Sequence, residues 1–218
     1  MNPTRDTSTS TASTASTALI VVDVQNDFTE NGSLAVNGGD VVARLIGSYT
    51  AANRDTYDVV ATTQDYHTDP GEHFAAPGTD PDFSVSWPVH CVAGGPGAEL
   101  DPELDAGAGR PFAELVDVAV YKGHYSAAYS GFEGVTTPKV DPGYIPESGD
   151  LVTALSERGV THVDVVGIAT DFCVRATVLD ALAAGFSVRV LTDMCAGVSP
   201  ESTDDALREM ERSGAEIA

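Results

Sequence analysis

Residues 18–24, ALIVVDV, form an apolar run interrupted only by an aspartate near its end. A run without alternation belongs to a strand covered on both faces, and such strands are characteristic of parallel sheets. A parallel strand cannot be joined to its neighbour by a tight hairpin. It needs a crossover, usually a helix. The rest of the chain supplies that alternation. Residues 40–53 carry helical periodicity, 57–63 (YDVVATT) read as a second strand and 116–121 (VDVAVY) as a third. The C-terminal part reads as helix near 150–158, strand 163–168, helix 173–184, strand 187–191, helix 200–213 and a short strand over 215–218. The expectation is an α/β fold of three layers, α/β/α, around a six-stranded parallel sheet. Residues 1–17, rich in Ser, Thr and Ala, are expected to be a disordered tail, and 18–218 a single domain. The stretches 64–111 and 123–149 lack periodicity, and loops that long inside a compact domain are often functional.

Charge narrows the partners. The chain has 33 acidic residues against 11 Lys and Arg, a formal net charge of −22. Such a surface repels nucleic-acid phosphates and anionic membranes, so neither is an expected partner. Only two lysines occur, Lys122 and Lys139. Three cysteines, Cys91, Cys173 and Cys195, make no disulfide framework, which fits a reduced, cytoplasmic protein. No apolar run approaches the ~20 residues of a membrane span, and residues 1–17 lack the apolar core of a secretory signal. A monomer or a small homo-oligomer is equally compatible with these features.

In open α/β sheets, ligands bind beyond the carboxyl ends of the strands. That edge collects Asp23 from strand one, Gln64 and Asp65 after strand two, Lys122 after strand three, and residues 169–173 after strand four. Cys173 sits at a strand-to-helix turn in GIATDFCVRAT. Free N–H groups and the dipole at a helix N-terminus favour a thiolate and can hold an oxyanion. A buried, inert cysteine is the ordinary alternative; Cys91 and Cys195 have weaker claims to be a nucleophile. Asp23 is the candidate base and Lys122 the candidate cation beside the thiol. Their alternatives are a capping aspartate and a solvated lysine. Lys122 is expected to relieve repulsion between Asp23 and the thiolate. Its loss is expected to leave metal binding nearly unchanged, because the candidate ligands lie in a different loop.

Those ligands are Asp65, His67, His73 and His90, in QDYHTDPGEH and SWPVH. In extended chain, positions i and i+2 point the same way, so Asp65 and His67 can face one ion. Imidazoles with one carboxylate suit a single divalent Zn, Fe or Mn ion with open positions. Solvated loop histidines are the alternative. His124 and His162 are read as non-ligands.

Five segments, LIVVDVQNDFTENGSLAV, ATTQDYHTDPGEHF, SWPVHCVAGGPGAEL, VYKGHYSAAYSGFEG and VDVVGIATDFCVRATVLDA, resemble the nicotinamidase/pyrazinamidase family of the isochorismatase-like cysteine hydrolases. The likeness runs from about residue 18 to the C-terminus. It implies an isochorismatase-like fold, a triad of Asp23, Lys122 and Cys173, and metal ligands Asp65, His67, His73 and His90. It also implies an oxyanion hole from the N–H groups of Ala169 and Cys173, with a cis peptide between Ile168 and Ala169. Phe28, Trp87, Tyr129 and Ile168 would line a pocket for a small aromatic amide. The implied reaction converts nicotinamide, and pyrazinamide, to the acid and ammonia through a cysteine thioester, as in NAD salvage. Two features depart from the family pattern. Phe172 stands where close relatives carry histidine, and 136–149 is longer than in compact relatives. The other readings are an amidase for a different small amide and a metal-binding scaffold without activity.

Overall fold

The computed structural model describes residues 16–138 and 149–218. Among them are seven strands, β1 (Ser16–Val22), β2 (Val59–Asp65), β3 (Val118–Lys122), β4 (Val135–Pro138), β5 (Val160–Ile168), β6 (Ser187–Ala196) and β7 (Glu216–Ile217). They form one sheet in the order β4-β3-β2-β1-β5-β6-β7. Six are mutually parallel, as the apolar runs require, and β4 adds an antiparallel edge to β3. That edge strand falls in a stretch read as irregular. It ends at Pro138, a residue that suits a sheet edge because it has no N–H to donate. Of the longer-than-expected segment 136–149, only 136–138 and 149 are among the described residues. The tail expected over 1–17 lies outside them up to residue 15, and Ser16 and Thr17 already belong to β1.

Among the described residues there are five α-helices, α1 (Gly39–Asn53), α2 (Pro102–Ala108), α3 (Leu151–Ser156), α4 (Arg175–Ala183) and α5 (Pro200–Ser213). Side-chain alternation along β1 explains how they divide. Ala18, Ile20 and Val22 pack in one core with residues of α3, α4 and α5, whereas Leu19 and Val21 pack in the other with residues of α1 and α2. All five side chains are fully buried. Burying one such aliphatic side chain contributes roughly 1.5–3 kcal/mol, which is why the run shows no polar alternation. Helix α2 escaped the sequence reading because it is too short to display a 3.6-residue period. Its signals are local: the Asp101 carboxylate caps it by accepting from Glu103 N at 2.7 Å, Pro102 sits in its first turn, and Gly109 ends it with φ 67°. No helix among the described residues is long and apolar enough to cross a membrane.

Register matters most for the site. β2 runs through Asp65 and β3 through Lys122, each past its expected end, and the parallel register sets Asp65 beside Lys122. Val22, the residue before Asp23, is matched by Thr63 on one side and Gly167 on the other.

Candidate active site

Asp23 follows β1 with a left-handed backbone, φ 49°. Its N–H donates to the Thr63 carbonyl at 3.1 Å and lies 3.2 Å from the Thr63 hydroxyl oxygen. That hydroxyl donates to Asp23 Oδ1 at 2.5 Å. Asp23 Oδ2 is thereby left facing Lys122 Nζ, 2.8 Å away. The same ammonium donates to the Ala128 carbonyl at 3.1 Å, stands 3.7 Å from Cys173 Sγ, and pairs with Asp65 Oδ1. Asp23, Lys122, Asp65 and Cys173 are all buried. Burial alone would discharge Lys122, but Asp23, Asp65 and Cys173 hold it well above its ordinary value. Burial pushes Asp23 up, against the pull of Lys122.

The thiol corrects one expectation. Burial pushes Cys173 well above its ordinary pKa, and Lys122 only opposes that shift. Cys173 does not sit on the first turn of an α-helix. It lies in a single π-helical turn, Thr170–Val174, and α4 begins only at Arg175. Desolvation of the buried sulfur is the largest influence raising the thiol's pKa, and Lys122 pulls the other way. The peptide between Ile168 and Ala169 is cis, as the resemblance implied.

Asp65 faces two ways. Burial opposes its ionisation, yet Lys122, His67 and His90 hold its carboxyl well below the usual carboxylate range. Its Oδ2 lies 3.5 Å from His67 Nε2 and 3.6 Å from His90 Nε2. Imidazole nitrogens of His67, His73 and His90 lie within 4.8 Å of one another, and all three rings are buried. Backbone carbonyls orient two of them: His67 Nδ1 is 2.6 Å from Gly123 O and His90 Nδ1 is 2.7 Å from Pro88 O. With Nδ1–H donated there, each Nε2 lone pair points inward. His67 Nε2 and His73 Nδ1 are buried without a hydrogen-bond partner. Buried polar atoms are ordinarily satisfied, so nitrogens left open beside a carboxylate fit a cation. Burial, helped by the neighbouring imidazoles, pushes His73 down to about 4, which keeps its ring neutral and able to ligate. His124 and His162 are outside this group. His124 instead packs edge-on against Tyr66, with ring centroids 5.6 Å apart.

A cavity of about 350 Å³ opens onto the thiol. Phe28, Trp87, Tyr129, Ile168 and Ala169 line it with Cys173, which unites the expected wall and oxyanion residues. Trp87 Nε1 donates to the Tyr129 hydroxyl at 3.1 Å, fixing two walls against each other. Phe172 joins the wall, its ring edge-on to Trp87 at 5.3 Å.

The sequence matches the Isochorismatase domain over residues 17–218. The chain belongs to the isochorismatase family. Within that family it is 52% identical over 201 residues to the nicotinamidase/pyrazinamidase of Mycobacterium tuberculosis, covering 92% of this chain and 97% of that protein. The crystal structure of a Pyrococcus horikoshii pyrazinamidase in complex with zinc superposes with a TM-score of 0.74 at 34% identity, covering 93% of this chain and 98% of the other. The L. infantum protein PnC1 in complex with nicotinate gives a TM-score of 0.74 at 29% identity over 94% and 92% of the two chains.

Three residues of this isochorismatase-family site went unread in the sequence. Thr63 fixes the Asp23 carboxylate. Gln25 clamps the Asp65 peptide, donating to its carbonyl at 2.9 Å and accepting its N–H at 2.8 Å. Gly123 holds His67 through its carbonyl. At Gly123, with φ 76°, an added Cβ would fall 2.5 Å from His67 Cε1, so only glycine fits. The polar pair Gln25–Asn26 inside VDVQND was a visible signal for the first strand end; Thr63 and Gly123 depend on register and gave none.

Proposed function

We propose that the chain is a metal-dependent nicotinamidase that also accepts pyrazinamide, releasing the carboxylic acid and ammonia. One observation carries this reading: the buried Asp23–Lys122–Cys173 group ends in a thiol at the floor of an aromatic-walled cavity, beside three inward-facing histidines. The names of the relatives support it. An aliphatic amide would leave the Phe28, Trp87 and Tyr129 walls unused.

In this reading Asp23 accepts the Cys173 proton, and the raised affinity of its buried carboxyl for a proton suits that task. Lys122 balances the charge that develops on sulfur. The thiolate attacks the carboxamide carbon, and the N–H groups of Ala169 and Cys173 receive the oxyanion. As the carbon–nitrogen bond breaks, Asp23 returns the proton to the leaving nitrogen, giving ammonia. Water then attacks the thioester, losing a proton to Asp23, and the acid departs as Cys173 regains its proton. Asp65, His67, His73 and His90 would hold one divalent ion, for which Zn, Fe and Mn all suit the donors, and that ion would supply a Lewis-acid anchor for the ring nitrogen. The three free cysteines accord with a reducing, cytoplasmic setting.

The test is ammonia release from nicotinamide by purified protein, with and without a chelator, and by Cys173→Ala. Turnover is expected in the wild type only, with loss on chelation and unchanged metal content in Cys173→Ala. Retained turnover by Cys173→Ala would refute the assignment of the nucleophile.

A further inference from the structure

The lining of the cavity sorts by exposure. Asp65, His73, His90, Trp87 and Cys173 are each at most 7% exposed and form the inner end. The mouth is formed by Leu34, Ala35, Phe83 and Val198, all apolar, with Phe83 and Val198 each 58% exposed. Apolar groups at that exposure are ordinary when scattered, but these four border one opening.

The mouth is also held by local hydrogen bonds. Phe83 has φ 56°, a conformation that a bulky side chain rarely adopts. Such a backbone persists only where its surroundings dictate it, and here one residue does so. The Asp82 carboxylate accepts from the N–H groups of Ser84, Val85 and Ser86 at 2.8–2.9 Å. Phe83 N donates to Ser86 O at 3.0 Å, closing the turn. The turn presents the Phe83 ring edge-on to Trp87, with centroids 6.0 Å apart. Val198, also at the mouth, is tied to the nucleophile turn, its N–H donating to Asp171 Oδ1 at 3.0 Å. Leu34 is fixed by its N–H to Asp27 O at 2.9 Å.

We infer that Phe83 is a specificity-determining residue, and that the mouth it forms with Leu34 and Val198 selects aromatic carboxamides bearing a small apolar substituent on the ring edge remote from the amide. The inference rests on the amidase reading. The carboxamide must reach Cys173 at the inner end, so the far ring edge faces the mouth. The mouth residues that a substituent there would face are all apolar, and the one acidic residue of the lining, Asp65, is buried at the other end. An unsubstituted ring leaves that surface wet.

The test is a series of nicotinamides carrying hydrogen, methyl, ethyl or propyl at the ring carbon meta to both the carboxamide and the ring nitrogen. It is run on the metal-loaded wild type, Phe83→Asn and Phe83→Leu. Asparagine tolerates the left-handed backbone, so it keeps the turn and removes the apolar wall. In the wild type kcat/KM is expected to rise by up to about fourfold per methylene, the equivalent of ~0.8 kcal/mol of apolar burial. The rise should vanish in Phe83→Asn and survive in Phe83→Leu. A wild type that discriminates against every alkyl group, an equal slope in Phe83→Asn, or a flat slope in Phe83→Leu would each overturn the role of Phe83. Failure on nicotinamide itself would instead bring down the amidase reading.

Discussion

Removing the Lys122 ammonium leaves Asp23 and Asp65 as buried carboxylates with no cation between them. Breaking a buried ion pair costs roughly 3–5 kcal/mol, so Lys122→Met should lower the melting temperature clearly. It should also lower metal content, measured on the purified variant, because Asp65 loses the partner that orients its carboxylate. This reverses the expectation that lysine and metal are independent. The lysine also favours the thiolate. Burial already holds the Cys173 thiol above its ordinary value, and removing the cation pushes it further the same way. The inflection of iodoacetamide alkylation at Cys173 should therefore move to higher pH in the variant; an unmoved profile would leave Lys122 without a tuning role. Thr63 makes a separate case. A hydrogen bond to a charged group is worth about 1.5–3 kcal/mol, so Thr63→Val should cut kcat by about 10–100-fold. KM should hold, and Thr63→Ser should restore the rate, because only the hydroxyl orients Asp23. A rise in KM with kcat unchanged would deny Thr63 this role. At this scale the sequence exposed Asp23, Lys122 and Cys173, because polar residues at the ends of apolar runs stand out. The contact between Lys122 and Asp65 did not show, because it depends on how β2 and β3 are set against each other.

Strands were legible at the scale of elements because burial on both faces leaves a long apolar record. Short elements were not. Helix α2 and strand β4 span too few residues for a period to emerge. The π turn at Cys173 has no periodic signature, and it sets the thiol ahead of α4 instead of on its first turn. The junction after β3 makes the element-level argument testable. Its turn places Gly123 against the His67 ring, where a methyl group has no room. Gly123→Ala should tilt that ring and weaken metal affinity by about 10–100-fold, the usual cost of disturbing the support of a ligand. Zinc titration of the metal-free protein would read this. Alkylation of Cys173 should persist, because the thiol lies on a different element.

Over the whole molecule, 33 acidic residues face 11 basic ones. Several arginines are engaged in pairs, including Arg54–Asp117, Arg175–Glu209 and Arg189–Asp164. The remaining acidic surface repels itself, and that repulsion opposes compaction. Raising the ionic strength from about 0.01 M to about 0.15 M shortens the screening length from ~30 Å to ~8 Å. The melting temperature should rise over that range; a fall would mean that the surface pairs outweigh the repulsion. Charge of this kind was fully legible in composition, since it needs no contact to be counted. The same scarcity of cations has a practical side. Lys122 is the only lysine among the described residues, and it is 1% exposed. An amine-acylating reagent thus finds no lysine handle on the described outer face of the folded chain. Its rate of attack at Lys122 becomes a clock, counting how often the buried edge of the sheet opens to solvent.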